Sequence, residues 1–212
     1  SPTSMNQYTD PDLASLVAPM SVGDLCIFEI TFIPYADTVE FNYVFGSEEY
    51  EEYVCTPFND VFGFFISGPG INGPFSNNGE NIALVPGTND FVAIGTVNNG
   101  NPNQSPSVCP PQNSQYFNVN VDGAQPVYDG FTDVFTARSI VMACDTYTIR
   151  LSLADASDFI FDSGVFLQAK SFGTTTIDVE VTTEASNETI AEGCSNGLGS
   201  FAIRYPAPQD VV

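Results

Sequence analysis

Histidine and tryptophan are both absent from this 212-residue chain. Histidine is the commonest general base in enzymes, the base of the usual serine relay and a favoured ligand of transition metals. Its absence excludes most hydrolase mechanisms. The five cysteines also show no CxxC spacing, so they make a poor zinc set.

Basic residues are scarce as well. The chain has only 4 Lys and Arg residues against 26 Asp and Glu residues, which gives a formal net charge of −22. Such a field repels phosphate backbones and anionic lipid headgroups, so we expect neither nucleic-acid nor membrane-surface binding, and cations are the natural partners. No run of 18 apolar residues is present, which argues against direct membrane insertion. The first residues lack a signal peptide, so we expect a mature or excised piece of a longer protein.

The chain does contain many short apolar runs separated by Gly, Pro and Asn, with 43% hydrophobic and 13% aromatic residues. Residues 39–45 alternate between apolar and polar, as in a strand with one buried face, and residues 61–67 are apolar almost throughout. Apolar residues do not recur convincingly at helical spacing, and only DLASLV favours a short helical turn. These patterns predict an all-β protein, an antiparallel β-sandwich of jelly-roll type.

A change in amino-acid composition at about Gly173 suggests a domain boundary. Residues 1–172 would form the sandwich, and residues 173–212 contain two or three more strands, too few for an independent core. We therefore expect the beginning of a second β-domain there. The alternative is that these strands complete the first sandwich.

The cysteines predict an oxidising compartment. Cys55 and Cys109 lie in polar loops flanked by proline, where an exposed thiol would be reactive, so we expect a disulfide between them. Cys26 is in phase with the apolar face of a strand, so it is either a buried free thiol or the partner of Cys144. Cys194 is then left over and is expected to pair outside this chain.

Two groups of oxygen-bearing side chains follow the apolar strands and form the candidate metal site. The predicted ligands are Glu48, Glu49, Asn59, Asp60, Asp155, Asp158 and Asp162. If the two turns lie at the same end of the sandwich, they can supply the six to eight oxygens that calcium takes. Crowded carboxylates repel one another by several kcal/mol unless a cation bridges them. The alternative is a solvated acidic rim, which is the role expected of Glu51 and Glu52.

One enzymatic alternative survives, a glycosidase that uses two of these carboxylates. A related alternative is a carbohydrate-binding domain, in which Tyr50, Tyr53 and Tyr128 replace the missing tryptophan as sugar platforms. We nevertheless expect a protein without catalytic activity, since a fold alone does not supply a site.

Three segments, FGSEEY, FNDVFGFF and DSGVFL, occur in this order and closely resemble the choice-of-anchor L domain family. The resemblance covers about residues 10–172 and implies a module of a large, secreted, multidomain surface protein of gliding bacteria, with export by type IX secretion. Its implied partners are the secretion and surface-attachment machinery or neighbouring domains, and its implied role is adhesion. The family's opening strands are expected upstream of Ser1. ETIAEGCSNGLGSFAIRYP is similar to the start of a Calx-β-like or immunoglobulin-like repeat.

Overall fold

A computed structural model describes residues 9–120, 128–157, 160–169, 177–183, 189–191 and 197–203. These ranges contain one α-helix, two short 3-10 helices and twelve strands. The helix is α1 (Pro11–Val17), and the 3-10 helices are Ser76–Asn78 and Ser114–Tyr116. The strands are β1 (Val22–Phe32), β2 (Thr38–Ser47), β3 (Val61–Ser67), β4 (Glu80–Asn81), β5 (Phe117–Val119), β6 (Gly130–Thr132), β7 (Phe135–Ile140), β8 (Tyr147–Ala156), β9 (Ser163–Leu167), β10 (Ile177–Thr183), β11 (Thr189–Ala191) and β12 (Gly197–Ile203).

Two antiparallel sheets form the body of the protein. The smaller sheet has the strand order β1-β8-β3-β4, and the larger has the order β11-β9-β2-β6-β5, with β7 also paired to β2. Strands β10 and β12 form a separate two-stranded sheet. The prediction of an all-β, antiparallel sandwich is therefore confirmed.

The alternation in β2 places its aromatic side chains between the two sheets. Phe41, Tyr43 and Phe45 are at most 4% exposed, while the intervening residues are only partly buried. Tyr43 meets Phe64 of the facing sheet edge-to-face at a centroid distance of 5.2 Å. Phe41 stacks on the same ring at 5.6 Å. This aromatic cluster fixes the face that β2 turns inward, and with it the face that points outward.

Strand β3 is buried on both faces, as its continuous apolar run predicts. Phe62 and Phe64 point into the core between the sheets. Val61 and Phe65 point to the other side, where α1 covers them with Leu13. The helix begins at Asp10, whose carboxylate accepts the Asp12 and Leu13 N–H groups at 2.8 and 3.2 Å, an N-cap that the DLASLV segment needs to stay helical.

The segment between β3 and β5 is less regular than its apolar runs suggest. NIALV and FVAIGTV predict strands, but the structure has only the two-residue β4 and isolated bridges there. The reason is local: Asn81 Oδ1 accepts the N–H groups of Phe64 and Ala83, each at 3.0 Å, and Thr96 similarly bonds backbone groups of residues 91 and 93. These side chains occupy backbone groups that a longer ladder would need.

Strand β11 pairs with β9, so residues 189–191 extend the edge of the larger sheet. This pairing joins part of the C-terminal region to the sandwich by backbone hydrogen bonds. The division of the chain at residue 173 stays a prediction.

Candidate metal centre

The larger sheet brings the two acidic turns to one end of the sandwich. Strands β2 and β9 are antiparallel, and Ser47 lies opposite Ser163 at the point where β2 ends and β9 begins. Just beyond this pair, the Glu48 N–H donates to the Asp162 carbonyl at 3.0 Å, and the Asp162 N–H donates to Glu48 Oε2 at 3.3 Å. The structure thus meets the spatial condition of the calcium hypothesis.

The smaller sheet adds two carboxylates at the same end. Val61 of β3 lies opposite Ala154 of β8, and the Asn59 N–H donates to the Ala156 carbonyl at 3.4 Å. This register places Asp60 opposite Asp155, so their Cβ atoms lie about 5 Å apart. Both side chains point into the space between the sheets, because they alternate with Val61 and Ala154, which face α1.

Three acidic side chains at this end are almost completely buried. Glu49 and Asp60 are 0% exposed, and Asp155 is 1% exposed. Glu49 Oε2 accepts the Asp60 N–H at 3.3 Å, and Asp60 Oδ2 accepts the Ser163 hydroxyl at 2.5 Å. Buried carboxylates cost free energy unless polar groups or cations compensate them. The burial of these three side chains therefore argues against the alternative of a solvated acidic rim.

Tyr50 lies next to these carboxylates and is itself 0% exposed. Its hydroxyl oxygen has no hydrogen-bond partner among the residues that the structure describes. Burial, followed by the negative charges of Asp60 and Glu49, raises the pKa of this phenol above its ordinary value. Tyr50 therefore stays protonated and presents a neutral hydroxyl near the carboxylates.

The remaining predicted ligands take other positions. Glu48 is half-buried and Asp162 is exposed, so they lie at the outer edge of the group. Asn59 Oδ1 accepts the Gly95 N–H at 2.8 Å and holds the neighbouring loop. Asp158 lies outside the described residues. The group that the fold brings together is therefore Glu49, Asp60 and Asp155, with Glu48 and Asp162 beside it.

Sequence reasoning missed Ser163 and misassigned Tyr50. Ser163 is in the DSGVFL segment, and its place at the start of an alternating strand beside Asp162 is the only signal for it. The carbohydrate-binding alternative predicts that Tyr50, Tyr53 and Tyr128 serve as platforms for sugars. That assignment is wrong for Tyr50 and Tyr128, because they are 0% and 8% exposed and cannot stack on a ligand from solvent.

Residues 48–60, between β2 and β3, form the acidic loop. A disulfide between Cys55 and Cys109, with Cα atoms 5.8 Å apart, ties this loop to a distant segment and fits the prediction. Asn101 supports the same loop by donating to the Glu52 and Val54 carbonyls at 2.6 and 2.9 Å. The loop that carries Glu49 is therefore cross-linked on its far side.

Both interpretations of Cys26 are wrong. Cys26 is disulfide-bonded, and its partner is not among the described residues. Cys144 is free and exposed, so it is not that partner. Cys194, for which the sequence predicts a partner outside the chain, lies outside the described residues. The period-2 pattern identified the buried position of Cys26 but carried no information about its oxidation state.

The carboxylates do not form a preformed metal site. Among the side chains that the structure describes, no three His, Cys, Asp or Glu residues are placed to hold one metal ion together. Calcium takes oxygen ligands at 2.3–2.6 Å in flexible geometry. Binding would draw Glu49, Asp60 and Asp155 closer together than they lie here.

Comparison with known protein families finds a match that covers most of the chain. The model of the choice-of-anchor L domain matches residues 1–173. No curated protein and no solved structure shows a significant match. In the part of the chain that the structure describes, we find no helix with the length and apolar character needed to cross a membrane.

Proposed function

The chain belongs to the choice-of-anchor L domain family and is an extracellular, surface-associated module; on this premise we propose that it is a non-enzymatic adhesion module stabilised by calcium. Its parent would be a large secreted protein displayed at the cell surface by type IX secretion, acting in gliding-type attachment. Its partners would be the attachment machinery and neighbouring domains of the same protein.

The observation that supports calcium is the burial of three carboxylates at one end of a histidine-free sandwich. Glu49, Asp60 and Asp155 come from three different turns or strands, and each is at most 1% exposed. A divalent ion would offset their mutual repulsion and join both sheets at that end. The neutral Tyr50 hydroxyl and the Ser163 hydroxyl add oxygens that need no further charge compensation.

The same burial argues against glycan cleavage at this site. A glycosidase needs two carboxyl groups that reach the scissile bond from either side. Glu49, Asp60 and Asp155 are each at most 1% exposed, so a sugar ring has no access to them. Glu48 and Asp162 are more accessible, but the Glu48 carboxylate already accepts the Asp162 N–H.

Thermal unfolding tests the calcium proposal. Extracellular calcium modules have a Kd of roughly 0.1 to 1 mM, so 10 mM calcium would stabilise the fold by about 1.4 to 2.7 kcal/mol. For a domain of this size the expected rise in Tm over excess EGTA is about 3 to 11 °C. Asp155→Asn should remove this rise and increase Tm in EGTA, because it removes one buried charge.

A matched control is Asp37→Asn, which neutralises an exposed carboxylate at the start of β2, the opposite end of the sandwich. It should keep the full calcium response. Identical melting curves in calcium and in EGTA would contradict the metal proposal. Surface display is tested separately: an antibody to this domain should label intact cells, and labelling only after permeabilisation would contradict display.

A further inference from the structure

The outer face of the larger sheet carries an open groove of about 530 Å³, within the range of ligand sites. Val44, Phe131 and Phe166 line it with half-buried apolar surface. The groove forms where the chain leaves the sheet between β6 and β7, at Asp133 and Val134.

Close packing fixes the ring of Phe166, one of the two phenylalanines in the groove. Gly46 and Gly164 are paired across β2 and β9, and the ring of Tyr128 lies directly over them. A Cβ atom at Gly46 would lie 2.9 Å from Tyr128 Cδ2, and one at Gly164 would lie 2.2 Å from the Tyr128 hydroxyl, so both positions must lack a side chain. Tyr128 in turn meets Phe166 edge-to-face at 5.9 Å. The Phe166 ring is therefore held in a defined orientation.

Hydrogen-bonding side chains border the apolar floor on two sides. On one side, Asn118 Nδ2 donates to Asp133 Oδ1 at 2.9 Å, which orients an amide and a carboxylate beside Phe131. On the other side, Asn42 is two residues from Val44 on the same face, about 7 Å away. There Thr136 donates to Asn42 Oδ1 at 2.8 Å, and Asn42 Nδ2 donates to Gln168 Oε1 at 2.9 Å.

We propose that this groove binds a neutral polysaccharide. Aromatic faces pack against the C–H groups on one side of a pyranose ring, while amides and carboxylates bond its hydroxyl groups. The net charge of −22 and the exposed Asp133 disfavour anionic glycans. An extended peptide could not add to β6 or β9 as a strand, because β6 lies between β2 and β5 and β9 lies between β2 and β11.

This site is separate from the buried carboxylates and does not require calcium for its contacts. The most direct test is electrophoresis of the whole chain in native gels that contain xylan, galactomannan or hydroxyethylcellulose. Pull-down on chitin and cellulose tests the insoluble polymers, and polygalacturonate is the anionic comparison. The buffer contains EGTA, so a failed calcium proposal leaves this test intact. We expect retardation by at least one neutral polymer and none by polygalacturonate.

Phe131→Leu and Phe166→Leu should each weaken that binding at least tenfold, because leucine keeps apolar volume but has no flat ring. Phe75→Leu is the matched control, a half-buried phenylalanine that packs on Phe65 of the opposite sheet at 4.9 Å, and it should bind like the parent. Tm measured for each variant confirms that it is folded. If Phe166→Leu does not fold, Phe131→Leu and Asp133→Asn carry the test.

Three results would overturn the proposal. They are the absence of binding to every neutral polymer, unchanged affinity in folded groove variants, and retention on an immobilised proline-rich peptide with none on polysaccharide. The last result would reassign the groove to a protein ligand.

Discussion

Replacing Arg150 should lower the free energy of unfolding more than replacing any other arginine that the structure describes. Arg150 bonds the carboxylates of Asp10 and Asp12 and lies 5.0 Å from the centre of the Phe65 ring. The side chains of Asp10 and Asp12 are only 0% and 8% exposed. Arg150→Met would leave both carboxylates buried without their cation, which costs about 3 to 5 kcal/mol. For a protein of this size that is a fall in Tm of about 6 to 20 °C.

Urea unfolding measures this loss as a shift in the midpoint at constant slope. Arg138→Met is the control, because its ion pair with Glu40 is exposed on both sides and should contribute at most about 1 kcal/mol. Replacing Asp10 and Asp12 by Asn in the Arg150→Met background should recover much of the stability, since Asn caps helices as well as Asp does. A loss below about 1 kcal/mol for Arg150→Met, equal to that of the control, would refute the reasoning.

Two further predictions concern the acidic loop. Replacing Cys55 and Cys109 together by Ser should lower the unfolding free energy by about 4 kcal/mol in the chain-entropy model, because the bond closes a loop with a sequence separation of 54 residues. Cys144→Ser is the control and should leave denaturant unfolding unchanged. Equal losses of unfolding free energy in the double and the single replacement would contradict the Cys55–Cys109 disulfide. Burial, followed by the charge of Glu52, raises the pKa of Glu51, so its ionised form disfavours the folded state. Glu51→Gln should therefore raise Tm slightly at pH 7, with the difference lost as the pH falls and the carboxyl is protonated in both states; an increase that persists at pH 3 would contradict this.

The sandwich could be predicted because its signals are local. Alternation in residues 39–45 and the apolar run of residues 61–67 identify β2 and β3 within a few residues of their observed bounds. The segment from 81 to 97 misled the same reasoning, since its apolar residues are buried but its backbone is satisfied by the side chains of Asn81 and Thr96. Hydrophobic periodicity reports burial and does not report which groups satisfy the backbone.

The candidate site was only partly predictable for a related reason. The sequence identifies acidic turns, but the register of β3 on β8 decides that Asp60 faces Asp155, and that register comes from tertiary packing. Asp10 and Asp12 show the same limit. They lie in a turn-rich segment with no sign of a partner, and their cation is Arg150, about 140 residues further along the chain.

The pairing of β2 with β9 serves both proposed sites because neighbouring residues on a strand point to opposite faces. The paired Ser47 and Ser163 are both 0% exposed and point toward the carboxylates between the sheets. The adjacent pair, Gly46 and Gly164, faces outward beneath Tyr128 and supports the groove. A cation bound among the carboxylates would therefore stabilise the strand pair under Phe166 without touching a ligand there. Calcium should accordingly change the temperature range over which polysaccharide is bound, while the affinity of the folded protein stays the same with and without calcium.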